Sequence, residues 1–214
     1  MQDCARDDHA TGQTKRLIIG ISGASGVIYG VRMLELLRDA GIETHLVMSR
    51  TAEITLSHET NRKVAEVKAL ASVCHAMDDM AAAISSGSFR TMGMVVAPCS
   101  MRSLSEIASG VTASLLTRAA DVVLKERRRL VLMARETPLH TGHLRTMTQV
   151  SEMGAIISPP MPAFYSRPAN LEEMIDHTVG RVLDLFDIEV GAVRRWGEES
   201  GPRRRKPPLR QITP

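Results

Sequence analysis

The residues best suited to chemistry in this sequence begin with a short glycine-rich loop near the start of the chain. An apolar run at 17–21 stops at Ser22-Gly23-Ala24-Ser25-Gly26, and apolar residues then recur at helical spacing from Val27. This order predicts a strand, a loop and a helix whose N–H groups converge on one anion, usually a phosphate. The loop is neither G-x-G-x-x-G nor a Walker A sequence, so a tight turn without a ligand is the alternative.

A second group of polar side chains follows another apolar run. Ser100-Met101-Arg102-Ser103 comes directly after the run at 92–98 and opens a predicted helix. Ordinary helix capping explains the two serines, but the same donors can also hold a polar ring edge or a ribityl chain. Cys99 is a poor candidate for a nucleophile, because no histidine lies near it in sequence to activate it.

Basic and acidic residues suggest a second anion site. Arg118 and Lys125 are seven residues apart, which places them on one helix face about two turns apart. Together with Arg135 they could bind an anion, although solvated charges at a helix end are the alternative. Glu136 is either an ion-pair partner of Arg135 or a group that transfers a proton or orients a phosphate, and Glu59 is a capping or solvated acid.

The sequence gives no sign of a metal site. His140 and His143 have no third ligand at a suitable spacing, and three cysteines (Cys4, Cys74 and Cys99) form neither a zinc motif nor a disulfide framework. An Asp-Asp-x-x-Asp clamp for magnesium and diphosphate is also missing from the sequence. We therefore expect no metal.

Strands and helices alternate along the predicted domain. After the first strand at 17–21, four more strands are predicted at Glu43–Ser49, Met92–Pro98, Arg129–Ala134 and Ala155–Ser158. Besides the helix that begins at Val27, helical patterns occupy 51–58, 65–70, 77–84, 103–108, 112–124, 141–153 and 171–186. Such alternation predicts a single α/β domain with a doubly wound, mostly parallel sheet. Ligands of such sheets bind beyond the carboxyl ends of the strands, and polar or special residues follow all five predicted strands.

Composition limits the partners of the chain. Five of its 27 basic residues lie in 201–214, which leaves 22 basic residues against 24 acidic ones and a nearly neutral body. Residues 1–15 and the Pro/Arg-rich tail at 199–214 are expected to be disordered, on either side of a domain at 16–198. Only six residues are aromatic, which argues against a stacking platform for nucleic acid. With neither a signal peptide nor an apolar run long enough to span a membrane, we expect a cytoplasmic protein.

Over residues 16–198 the sequence resembles the flavin prenyltransferases of the UbiX/Pad type. The resemblance is carried by motifs that stand in the order and at the spacing of that family. These are GISGASG (20–26), THLVMS (44–49), HET (58–60), SSGSF (85–89), PCS (98–100), LLTRAADVVLKERR (115–128), RETPLH (135–140), GAIISPPMPAFY (154–165) and RRW (194–196).

The resemblance implies a Rossmann- or flavodoxin-like fold that assembles into homododecamers. It implies that reduced FMN accepts a dimethylallyl group from dimethylallyl phosphate at N5 and C6, without a metal. The product, prenylated FMN, would serve a partner decarboxylase of the UbiD type. A flavin-dependent cysteine decarboxylase of similar fold and a non-catalytic flavin-binding subunit of a decarboxylase complex are the alternative functions.

The resemblance also implies roles for individual residues. Those matched to FMN binding are Gly23, Ala24, Ser25, Ser49, Ser100, Met101, Arg102, Ser103 and Arg135. Those matched to the prenyl phosphate or its surroundings are Arg118, Lys125, Tyr165, Arg181 and Trp196, and the catalytic set is Ser25, Glu59, Lys125 and Glu136. The chain departs from the family at Arg50, where relatives often have Lys, at Arg128-Arg129, where Arg-Pro is common, and in the tail.

Overall fold

The computed structural model describes residues 15–191 together with residues 193 and 195. Within them the strands are β1 (Arg16–Ile21), β2 (Glu43–Met48), β3 (Val73–His75), β4 (Gly93–Cys99), β5 (Arg129–Ala134) and β6 (Ile156–Ile157). The α-helices are α1 (Val27–Asp39), α2 (Arg50–Glu59), α3 (Val64–Lys68), α4 (Met101–Ala108), α5 (Leu115–Lys125), α6 (Thr141–Glu152) and α7 (Leu171–Asp184). Short 3₁₀ turns occupy Ala83–Ser85 and Phe164–Ser166.

The six strands form one sheet in the order β3-β2-β1-β4-β5-β6, and every neighbouring pair is parallel. The chain winds outward from β1 to β3, returns to β4 beside β1, and winds outward again to β6. This is the doubly wound α/β architecture expected from the sequence. All strands therefore end at one edge of the sheet, here called the carboxyl edge, and begin at the opposite amino edge.

Alternating side chains of the strands build a core on each face of the sheet. Leu17, Ile19 and Ile21 of β1 point into a core with α1, α2, α3 and α7. Ile18 points to the other face, into a core with α4, α5 and α6. Because the sheet is covered on both faces, its strands are almost continuously apolar, as buried parallel strands require.

Two parts of the chain differ from the sequence prediction. β3 was missed, because it is only three residues long and its Val73 and Cys74 are exposed at the edge of the sheet. The helix expected at 77–84 is wrong: this segment consists of turns that lead into the 3₁₀ turn at 83–85. The Asp79 carboxylate accepts a hydrogen bond from the Ala81 N–H at 3.2 Å, a local contact that competes with a helix.

The terminal segments expected to be disordered, 1–15 and 199–214, lie outside the described residues except for Lys15. Among the described helices, none is both long enough and apolar enough to cross a membrane.

Gly30 lets α1 approach the sheet closely, which gives a test of this packing. A Cβ atom at Gly30 would meet the Ala97 carbonyl oxygen and would lie 2.8 Å from the Ile21 Cδ1 atom. We expect Gly30→Ala to lower the free energy of unfolding by about 1–3 kcal/mol, because overpacking outweighs the gain of about 1 kcal/mol in helix propensity. Urea titration measures this, with Arg38→Ala on the exposed side of α1 as the control. A stabilised Gly30→Ala protein would contradict the packing described.

Candidate active site

The centre of the site is the point where the sheet changes winding direction, between β1 and β4. Ser22 follows β1, and its buried hydroxyl donates to the Pro98 carbonyl at 3.0 Å and accepts from the Ser100 N–H at 2.8 Å. The Ser22 N–H also donates to the Pro98 carbonyl, at 3.2 Å. These bonds join the glycine-rich loop to the start of α4, at the position where ligands of doubly wound sheets bind.

The glycine-rich loop packs directly on the start of α2. A Cβ atom at Gly23 would lie 2.5 Å from the Thr51 Cβ atom, so only glycine fits here. Ser49 caps α2: its hydroxyl accepts from the Ala52 N–H at 3.1 Å and lies 3.0 Å from the Thr51 hydroxyl. Ser25, in the same loop, is exposed at the carboxyl edge.

Glu59 caps a neighbouring helix rather than its own. It is the last residue of α2, and its carboxylate accepts from the Gly26 N–H at 2.9 and 3.1 Å and from the Val27 N–H at 3.1 Å. The carboxylate thus occupies the N-terminus of α1, where an anion is stabilised by the helix dipole. The capping role weighed for this acid from sequence is present, whereas these two N–H groups are already bound and are not open to a phosphate.

Ser100 and Ser103 open α4 beside the loop. The Ser100 hydroxyl caps the helix by accepting from the Ser103 N–H at 3.2 Å and donates to the Ser103 hydroxyl at 3.2 Å. Met101 is buried, whereas the Arg102 side chain is exposed and pairs with Glu106 at 2.9 Å. Both serines are half-buried and lie at the carboxyl edge beside the switch point.

Arg135 and Glu136 complete this edge after β5. The Arg135 N–H donates to the Cys99 carbonyl at 3.0 Å, which fixes its backbone beside β4. The ion pair considered between the two residues does not form in the described structure: the Glu136 carboxylate accepts from the Thr137 N–H at 3.0 Å. Both side chains are exposed and are therefore open to a ligand.

Tyr29, which the sequence analysis did not single out, lies beside the glycine-rich loop. Burial raises the pKa of its hydroxyl, and the charge of nearby Arg135 partly opposes that shift. Its ring also lies against Gly26, where a Cβ atom would be 3.1 Å from the ring carbons. A neutral Tyr29 thus lies between the loop and Arg135. Only its position in the first turn of α1 pointed to it in the sequence.

Cys99 is excluded as a nucleophile by its surroundings. It is fully buried, and burial raises the pKa of its thiol to about 12. A thiol with this pKa is protonated at neutral pH, so it supplies almost no thiolate.

The basic residues expected to bind a second anion do not all share this edge. Lys125 is the last residue of α5 and precedes the first residue of β5 by four positions, so it lies at the amino edge. Arg135 follows β5, and six strand residues span roughly 20 Å. Lys125 and Arg135 therefore do not lie together in one copy of the chain, so the expected group of Arg118, Lys125 and Arg135 does not form there as a whole.

Arg118 and Lys125 do share one face of α5, as their spacing predicted. Arg118 donates to the Ser85 carbonyl at 3.2 Å and pairs with Asp121 at 2.8 Å. Lys125 pairs with Glu126 at 2.5 Å and lies over Gly87, since a Cβ atom there would be 2.8 Å from its Nζ atom. Both cations thus border the loop at 85–89.

Two further prenyl-phosphate candidates lie on the opposite face of the sheet. Arg181, in the last turn of α7, pairs with Asp184 at 2.7 Å. Tyr165 precedes α7, with its ring edge-on to the His177 ring at 5.7 Å between centroids. Because α7 and α5 pack on different faces, Arg181 and Lys125 are separated by the sheet. Trp196 lies outside the described residues.

Side chains that could ligate a metal are not grouped in the described structure. No cluster of three or more His, Cys, Asp or Glu residues suitable for a metal ion occurs among the described residues. His140 instead caps α6, where its Nδ1 atom accepts from the Gly142 and His143 N–H groups at 3.0 and 3.3 Å.

Comparison with known proteins identifies the family. The Flavoprotein family matches residues 6–195. The flavin prenyltransferase UbiX of Escherichia coli strain K12 is 65% identical over 175 residues, which cover 81% of this chain and 93% of that protein.

Solved structures agree with that match. The crystal structure of AnUbiX (PadA1) in complex with FMN and dimethylallyl pyrophosphate is 51% identical, with a TM-score of 0.85, and the match covers 86% of this chain and 98% of that one. The dodecameric FMN-dependent UbiX-like decarboxylase from Escherichia coli O157:H7 is 50% identical, with a TM-score of 0.82 over 85% of this chain and 98% of that one.

The chain belongs to the flavin prenyltransferase family. It is accordingly a flavoprotein and a prenyl-transferring enzyme, and the resemblance found from its motifs is confirmed.

Proposed function

We propose that this protein transfers the dimethylallyl group of dimethylallyl phosphate to N5 and C6 of reduced FMN and so makes prenylated FMN. The observation that carries the proposal is the convergence of the loop at 22–26, the α4 N-terminus and Arg135 on the switch point of the sheet. AnUbiX, half of whose residues are identical, binds FMN and a dimethylallyl compound.

The carboxyl edge fits FMN as the acceptor substrate. Ser25, Ser49, Ser100 and Ser103 provide hydroxyls, and the exposed Arg135 provides a cation for phosphate or for the polar edge of the flavin ring. Reduced flavin supplies the nucleophilic N5 atom, so the protein mainly positions two substrates. Gly23, Ala24, Met101 and Arg102 complete this proposed binding set along the two chain segments.

The prenyl-phosphate site requires more than one copy of the chain. Lys125 and Arg181 lie at the C-terminal ends of α5 and α7, on opposite faces, and cannot reach the carboxyl edge of their own sheet because about 20 Å of strand lies between. A homo-oligomer removes this obstacle by bringing the amino edge of one copy to the carboxyl edge of another. The dodecameric relative from Escherichia coli O157:H7 supports a dodecamer here as well.

In the assembled site, Arg118, Lys125 and Arg181 would stabilise negative charge on the departing phosphate, and Tyr165 would lie beside the prenyl group. Trp196 is assigned to substrate binding only from its match to the family. Preorganised cations of this kind act most strongly where water is excluded. Ser25 and Glu136 contact the same phosphate from the flavin side, and Glu136 gives or receives its proton. Glu59, next to the loop, accepts the proton lost from C6 when the fourth ring closes.

The alternatives receive less support from the residues. Cysteine decarboxylases of similar fold carry Pro-Ala-Ser-Ala-Asn-Thr where this chain has Pro98-Cys99-Ser100-Met101-Arg102-Ser103. A non-catalytic flavin-binding subunit would have no use for the cations of α5 and α7. A decarboxylase of the UbiD type is the proposed recipient of the product, in the cytoplasm.

The proposal is tested by incubating the purified protein with FMN, a reductant and dimethylallyl phosphate under anaerobic conditions without added metal. We expect flavin whose mass has increased by one dimethylallyl group, and a UbiD-type decarboxylase activated by it. Unmodified FMN after prolonged incubation of FMN-loaded protein would refute the proposal.

The variant Lys125→Ala tests whether this lysine serves the prenyl-phosphate site and not the flavin site. Because Lys125 lies at the amino edge, we expect FMN affinity to stay within about twofold of the wild type. We expect the activation free energy to rise by about 2–4 kcal/mol, which lowers kcat/KM by roughly 30- to 1000-fold. Lys68→Ala, which removes an exposed cation paired with Glu53 at 2.6 Å, is the control and should leave both values unchanged. Equal loss of FMN binding in Lys125→Ala would move this residue to the flavin site.

The variant Glu59→Gln tests whether Glu59 acts in proton transfer in addition to capping α1. Gln keeps one oxygen for the Gly26 and Val27 N–H groups but cannot take a proton at neutral pH. We expect the first carbon–nitrogen bond to form at close to the native rate and ring closure to slow at least tenfold. Ring closure leaves the mass unchanged, so absorbance in single-turnover mixing follows it. Closure at the native rate would leave Glu59 with a purely structural role.

A further inference from the structure

The C-terminal end of α5 is fixed by a main-chain motif that brings one more arginine to the loop at 85–89. The Arg127 N–H donates to Leu124 O at 3.0 Å and the Arg128 N–H to Val123 O at 2.9 Å, while Arg127 has a left-handed φ of 56°. This pair of bonds is the Schellman arrangement, which ends the helix sharply. Arg128 is therefore rigidly placed three residues after Lys125.

The Arg128 side chain binds the loop through two main-chain carbonyls. Its guanidinium group donates to the Gly87 carbonyl at 2.6 Å and to the Phe89 carbonyl at 2.7 Å. Arg118, from the same helix, holds the Ser85 carbonyl at 3.2 Å. The loop is thus tied to α5 at three alternate residues, and the two short bonds both come from the planar fork of Arg128, which lysine cannot reproduce.

The loop in turn limits where Lys125 can lie. Space above Gly87 is filled by the ends of two side chains: a Cβ atom there would be 2.8 Å from the Lys125 Nζ atom and 2.7 Å from the Glu126 carboxyl carbon. The backbone of Gly87 therefore forms a floor under the ammonium group. Lys125 and the nearby charge of Arg128 both lower the pKa of the Glu126 carboxyl, which stays ionised beside them.

We propose that Arg128 is a positioning residue for prenyl transfer, which holds the loop at 85–89 beneath Lys125 and so sets the position of its ammonium group. This inference rests on the proposed function of Lys125. Arg128 itself points its donors at carbonyl groups and contacts no substrate. Loss of its two bonds releases the Gly87 floor, and a displaced ammonium group stabilises the departing phosphate less well.

The test compares Arg128→Gln, Arg128→Lys and Lys125→Ala, with Arg127→Gln as the charge-matched control one residue away. We expect Arg128→Gln to lower kcat/KM for dimethylallyl phosphate about tenfold, with FMN affinity within about twofold of the wild type. Arg128→Lys, which can still donate to one carbonyl, should recover part of the loss, and Arg127→Gln should behave like the wild type.

The decisive measurement is the double variant Arg128→Gln/Lys125→Ala. If Arg128 acts through Lys125, the double variant should be no slower than Lys125→Ala alone, because the group being positioned is already gone. The proposal is overturned if the losses of kcat/KM in the two single variants multiply in the double variant. It is also overturned if FMN affinity in Arg128→Gln falls by the same factor as kcat/KM, or if Arg128→Gln has the same kinetics as Arg127→Gln. A wild-type protein that makes no prenylated FMN would refute the proposed function itself, and active Lys125→Ala protein would refute the role of Lys125.

Discussion

A fully parallel sheet imposes the constraint from which the rest of this structure follows. Every strand ends at the same edge, so the loops that follow β1, β2, β4 and β5 meet there and can surround one ligand. Every helix that returns to start the next strand must end at the opposite edge. Cations near helix ends, where the macrodipole favours them, are therefore carried away from the flavin edge. In the proposed function, the fold thus separates the acceptor site from Lys125 and Arg181, and a second copy of the chain is needed to bring them together.

The two edges are built by different kinds of interaction. At the carboxyl edge, neutral hydroxyls and N–H groups satisfy one another across elements: Ser22 bonds to both Pro98 and Ser100, and Glu59 neutralises the start of α1. These bonds fix the loop geometry while leaving Ser25 and Arg135 exposed. Each cation of α5 and α7 in the proposed site has an acidic neighbour on its own helix or just beyond it: Asp121 for Arg118, Glu126 for Lys125 and Asp184 for Arg181.

The sequence predicted the elements with strong apolar signals and missed those held by local polar contacts. β5 has the predicted bounds of Arg129–Ala134, because its buried run is continuous and is bounded by charged residues. β3 and the turns at 77–84 depend on a short edge pairing with β2 and on the Asp79 side chain, which apolar periodicity does not report. Helical spacing placed Arg118 and Lys125 on one face, but spacing alone does not say towards which edge of a sheet a helix runs.

Glu59 shows a similar limit for the site. The sequence allowed a capping acid, but the helix it caps is α1, whose N-terminus is 32 residues earlier in the chain. That contact depends on α2 lying beside α1, which only the folded sheet decides. As a result, two backbone N–H groups hold the carboxylate beside the glycine-rich loop, where the proposed function assigns it the proton lost from the flavin.

Paired cations at the amino edge bear on how phosphate is bound. A surface ion pair contributes little, about 0–1 kcal/mol, so the Glu126 carboxylate does not prevent Lys125 from binding a doubly charged phosphate. The Glu126 carboxylate does keep the Lys125 ammonium group oriented over Gly87 before a ligand binds, and Arg128 holds the backbone of Gly87 in place through its carbonyl group. Because orientation costs side-chain entropy of up to about 2 kcal/mol for a lysine, a group ordered in advance binds the phosphate without that loss. Under the proposed function, the Lys125 ammonium group of one copy is thus ordered in advance for a phosphate that is bound beside the flavin of another copy.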